Sequence, residues 1–72
     1  PADPIPDYVL EALEEVRASG ATNMFDQRAV LILSAVYDVE AKDWLRQNDA
    51  RFFEALKAMG ARRRTGSNPD AR

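Results

Sequence analysis

The sequence predicts an all-α fold: a small bundle of three to four short helices, at about residues 6–19, 27–37, 39–47 and 50–59, with a disordered C-terminal tail. Three observations predict it. Apolar residues recur at i, i+3, i+4 and i+7 in the first segment and in similar helical stripes later, the spacing of one face of a helix. Each segment is bracketed by residues that start helices, such as Pro6, Asp26, Asp38 and Asp49, and residues that stop them, such as Gly20, Asn48 and Gly60. Strand-type alternation extends nowhere over more than a few positions.

Pro1 to Ile5 reads as an extended arm. Pro6 suits the first helical position, where its fixed φ helps and its missing N–H is not needed. Val9, Ala12, Leu13 and Val16 then form the inner stripe, with Glu11, Glu14, Glu15 and Arg17 outside, and Gly20 supplies the left-handed residue that ends the helix. Two start signals compete for the second helix, Asn23 and Asp26. Asp26 is preferred as N-cap, because Phe25 then stands at the right spacing to pack on Val30 as a hydrophobic staple.

The second helix, Gln27 to Tyr37, is predicted to be the central strut. Of Ala29 to Val36 only Ser34 is polar, and a helix apolar on nearly every side calls for cover on nearly every side. Asp38 caps a short third helix with Ala41, Trp44 and Leu45 on one stripe, an angled connection into the fourth segment. There Phe52, Phe53, Leu56 and Met59 are expected to be buried, and Gly60 to close the helix. Residues 1–60 thus read as one helical domain and 61–72 as a flexible basic tail.

Composition limits the chemistry. The 72 residues include no cysteine and no histidine, which removes disulfides, thiolate or imidazole metal ligands and the commonest general acid or base. With 46% apolar and 31% charged residues the chain reads as globular, yet so small a core has little stability to spare unless helix packing is good or another chain contributes. The apolar runs are too short for a membrane span, and the acidic N-terminus does not read as a signal peptide. The remaining bases are carboxylates and two lysines on solvated faces, and phosphate-cradling or calcium loops are missing. No enzyme activity and no cofactor are expected.

The net charge of −2 conceals a gradient: residues 1–16 carry −5 and residues 57–72 carry +4. Acids at the first helix and bases at the last complement the helix dipoles. A sharper reading sends Arg62, Arg63 and Arg64 to nucleic acid, together with Lys42 and Arg46 of a helix-turn-helix built around Asp38. Against it, Glu40 and Asp43 nearly neutralise the recognition face, whereas phosphate binding wants a positive one.

The segment Gly20, Thr22, Asn23, Met24, Phe25 and Asp26, with Val30 continuing the apolar pattern, resembles an uncharacterised family of small proteins encoded by phages and prophages. The likeness covers about residues 8–58 and is sharp over 20–26. It departs after Tyr37, where the family tends to a glycine and this chain has Asp38. The resemblance implies a viral origin, the cytoplasm of a bacterial host, and action by binding. The function expected is therefore a protein-binding module that modulates a host protein, with a second copy of the chain as another candidate partner. Asn23, Met24, Tyr37, Trp44 and Phe52 are the candidate contact residues, and whichever side of Ala29 to Val36 stays bare is the candidate face. A DNA-binding regulator is the alternative.

Overall fold

Local start and stop signals set the helix boundaries almost residue by residue. The computed structural model describes residues 3–66. These form α1 (Asp7–Ser19), α2 (Gln27–Tyr37), α3 (Val39–Gln47), a 3-10 turn (Asp49–Arg51) and α4 (Phe52–Gly66), with no strand among the described residues. Pro6, expected at the first helical position, is instead the extended N-cap of α1, and its carbonyl accepts from the Val9 and Leu10 amides at 3.1 and 3.3 Å.

Gly20 ends α1 as predicted, with φ 66° and its N–H donating to the Arg17 carbonyl at 3.1 Å. Asp26 caps α2, its Oδ1 accepting from the Ala29 amide at 3.2 Å. Asn23 is used as well: its Oδ1 accepts from the Phe25 amide at 2.8 Å and its carbonyl from the Asp26 amide at 2.9 Å, closing a turn just ahead of the helix. Asp38 serves two helices. Its N–H donates to the Ser34 carbonyl at 2.8 Å while its Oδ1 accepts from the Glu40 and Ala41 amides at 3.0 and 3.4 Å.

α4 departs from expectation by running through Gly60 to Gly66. A glycine stops a helix by entering the left-handed region, and Gly20 is the only described residue that does. Ala61 and the arginines that follow are good helix formers, so the helix continues. Residues 67–72 of the expected tail lie outside the described residues. The two glycines should therefore answer alanine in opposite ways. Gly20→Ala forces a Cβ into the left-handed region and is expected to lose about 1–2 kcal/mol. Gly60→Ala, whose Cβ would meet nothing within 4 Å, is expected to gain about 0.5–1 kcal/mol. Thermal unfolding of both variants checks the pair.

The core forms around α1 and not around α2. Val9, Leu10, Ala12, Leu13 and Val16 are all buried, and α1 packs against α2, α3 and α4. Against it lie Val30, Ala41, Leu45, Phe52, Ala55 and Met59. In α2 only Val30 and Ser34 are buried, the Ser34 hydroxyl donating to the Leu31 carbonyl at 2.8 Å. The central-strut expectation is thus corrected. Apolar content measures how much cover a helix would accept, whereas cover depends on how many helices can reach it. The principal extents are 38 × 33 × 19 Å, so the thin direction is about two helix diameters, and α2 keeps one side open.

Candidate functional site

On the open side of α2, Arg28, Ile32 and Val36 follow one another at i and i+4, across the helix from Val30 and Ser34. Ile32 is 59% exposed and Val36 73%. Tyr37 and Val39, also exposed, follow in the chain at the corner into α3, while Ala29 and Leu33 flank the ridge half-buried. This is the bare side of the run from Ala29 to Val36. Scattered exposed apolar residues are ordinary; adjacent ones forming a ridge on one helix are less so.

A second feature begins at the turn before α2. Phe25 is 71% exposed, and its ring stacks on Phe53 with centroids 6.2 Å apart and planes at 28°. Phe53 in turn meets Phe52 edge-on at 5.1 Å. The predicted staple partner of Phe25 was Val30, which is buried; the ring partner is Phe53, brought in from α4. Beside this pair, Arg17, Met24, Phe25, Leu56, Met59 and Gly60 line a groove of about 400 Å³ between the end of α1, the turn and α4.

A third feature is a cleft of about 190 Å³ lined by Tyr8, Glu11, Ala12, Glu15, Tyr37 and Asp38. Its acids belong to the outer face of α1 and the α2–α3 corner. Among the described residues, no group of three or more acidic side chains is arranged to hold a metal ion.

Of the candidate contact residues, Met24 lines the groove and Tyr37 lies between ridge and cleft. Asn23 is exposed, with its side-chain oxygen engaged in the turn. Trp44 is half-buried, and the Arg51 guanidinium covers its ring at 5.6 Å from the centroid. Phe52 is 1% exposed and belongs to the core, whereas its neighbour Phe53, expected on the buried side of the fourth helix, is 56% exposed and is the one of the pair that an interface can reach. Successive residues on a helix point about 100° apart, and the 3-10 turn ahead of α4 sets which of two adjacent phenylalanines turns inward. Phe25 is the surface aromatic that the sequence reading leaves out, although Asn23, whose side chain takes the Phe25 amide in a turn ahead of the helix, is a signal for it.

The basic residues disperse. Arg62 reaches back to α1, with Nη2 3.4 Å from Glu11 Oε2, Nε 3.9 Å from Glu14 Oε2, and Nη1 donating to the Asp7 carbonyl at 3.4 Å. The acidic and basic ends of the chain thus meet each other within one molecule. Arg63 and Arg64 lie in the last turns of α4, and their side chains lie outside what is described. Lys42 is half-buried and Arg46 exposed on α3, alongside Glu40 and Asp43. One residue, Asp38, links α2 to α3, where a helix-turn-helix uses a turn of about three to four.

Arg51 ties the N-terminal arm to the 3-10 turn. It donates from Nε and Nη2 to Glu54 at 3.0 and 2.8 Å and from Nη2 to the Asp3 carbonyl at 2.8 Å. The hydrogen bonds from Arg51, reinforced by its charge, hold the Glu54 carboxyl below the ordinary glutamate range. Gln27 Nε2 donates to the Asp49 carbonyl at 3.0 Å, anchoring the start of α2 to the same turn.

Compared with protein-family models, curated proteins and solved structures, the chain gives no match. The fold and surface place it in a class only: a small all-α bundle with an uncovered apolar helix face. No helix of the described residues is long and apolar enough to cross a membrane.

Proposed function

We propose that this chain is a non-enzymatic protein-binding module that engages its partner through the outward ridge of α2. The observation that carries the reading is the exposure of Ile32 and Val36 on one face of a helix whose opposite face is already in the core. Burying a large aliphatic side chain fully is worth about 1.5–3 kcal/mol, so these two side chains, with Tyr37 and Val39 beside them, can centre an interface. The phage resemblance around Gly20 to Asp26 suggests a bacterial host protein as the partner and modulation of that protein as the role. A second copy of the chain fits the same apolar face.

A photoreactive side chain placed at Val36, and in a control at Asp43, tests this in bacterial lysate. The expected result is a discrete adduct from position 36 and none from position 43. An adduct of twice the chain mass would make the partner a second copy. No adduct from position 36 would overturn the reading.

A further inference from the structure

The groove beside Phe25 is a different surface from the α2 ridge, and three features of its lining fit it for a ligand. Both methionines of the chain, Met24 and Met59, line it, and flexible thioethers adapt to apolar partners of varied shape. Phe25 is held in place from both ends, by the Asn23 turn at its amide and by Phe53 at its ring. Gly60 leaves the backbone of α4 bare at the groove, and a Cβ there would meet nothing within 4 Å. Glycine inside a helix costs about 1 kcal/mol relative to alanine, and close approach of another group to the backbone is a use for it.

The charged side chain in the lining of the groove is a cation. Arg17 lines it, and Lys57 lies on the same side of α4 as Phe53 and Gly60, four residues from one and three from the other. Neither cation forms an ion pair among the described residues, while Arg51 and Arg62 are both engaged with glutamates. An apolar floor with uncommitted cations beside it is complementary to an apolar ligand that carries carboxylates. The groove is also open to solvent along one side. A small ligand site normally encloses most of its ligand, whereas a segment of a partner protein brings its own cover.

We propose that this groove binds an acidic amphipathic segment of a partner protein. An apolar side chain of the segment enters between Met24, Phe25 and Leu56 over the bare backbone at Gly60. A carboxylate of the same segment meets Arg17. The site is independent of the ridge, so Ile32→Glu with Val36→Glu leaves it intact.

The test is a titration of the isotope-labelled full chain, followed by NMR, with three synthetic helical peptides. One carries leucines on one face and glutamates on the other, the second has lysine for every glutamate, and the third has serine for every leucine. The expected result is saturable shifts at Met24, Phe25 and Met59 with the acidic peptide, about tenfold weaker binding of the lysine peptide, and none of the serine peptide. Gly60→Leu fills the groove and is expected to weaken the acidic peptide by about tenfold or more; the Gly60→Ala chain confirms that position 60 accepts a side chain without loss of fold. Arg17→Glu is expected to reverse the preference between the glutamate and lysine peptides. Absence of shifts at these residues up to about 1 mM, equal binding of both charged peptides, or unchanged binding by a folded Gly60→Leu chain would each overturn the proposal. Decanoate runs as a parallel arm: shifts at the same residues from decanoate, with none from the acidic peptide, would assign the groove to a small anionic amphiphile instead.

Discussion

Phe52→Ala is expected to destabilise the fold by about 3–5 kcal/mol, the range for removing a buried aromatic ring. Domains of this kind are stable by about 0.05–0.15 kcal/mol per residue, so the loss takes up about a third or more of what a chain of 72 residues has. Far-UV circular dichroism in urea should show a midpoint lowered by about a third or more from that of the wild type, since the midpoint scales with the remaining stability. Phe53→Ala, one residue on, removes a ring that is more than half exposed and touches Phe25 and the edge of Phe52. It is expected to lose about 1 kcal/mol or less. Equal losses at the two positions would contradict the inward and outward assignment of the pair.

The second large effect is expected at Asp38, which is at once the C-terminal cap of α2 and the N-terminal cap of α3. Asp38→Ala removes the acceptor for two amides at the start of α3, and the loss of a cap of this kind is worth about 0.5–2 kcal/mol. The upper half of that range is expected here, because the same residue sets the angle at which Ala41 and Leu45 meet the core. Asp38→Asn keeps an acceptor at the same place and should retain most of the stability. If the asparagine variant falls as far as the alanine variant, something other than the cap holds the corner. Thermal unfolding of the three proteins decides between these outcomes.

The parts of this fold legible in the sequence are those decided by neighbours along the chain. Gly20 needs only its own backbone conformation to stop α1, and Asp26 and Asp38 need only the amides two or three residues ahead. Both limits of α2 and the start of α3 follow from them. Gly60 has the same identity as Gly20 but is followed by residues that continue a helix, and the local signal does not say which glycine will turn left-handed.

What the sequence conceals is decided between segments. The apolar run of α2 is longer than that of α1, yet α1 takes the centre because three helices pack on it. Phe25 has the spacing of a staple to Val30, but α4 offers it Phe53. Phe52 and Phe53 are chemically identical, and only the course of the chain through the 3-10 turn separates core from surface. Of the candidate contact residues, Met24 and Tyr37 were legible as surface features. Glu11 and Glu14 on Arg62 were not, since they pair the first helix with the last, and Arg51 over Trp44 was not, since it depends on how the 3-10 turn folds back on α3.

The most direct measurement of the central claim, that α2 is a contact face mounted on a core built around α1, is made on the double variant Ile32→Glu, Val36→Glu. Wild type and variant are compared by thermal unfolding, by light scattering and by capture of protein from bacterial lysate. The variant is expected to be helical and to fold cooperatively, with both substitutions together losing no more than about 1 kcal/mol of the monomer's stability, the range for surface positions. Whatever the wild type retains, a lysate protein or a second copy, is expected to be lost by the variant. An unfolded variant would return Ile32 and Val36 to the core. A folded variant that retains the same partner, or a wild type that stays monomeric and retains nothing, would remove the ridge as the contact face.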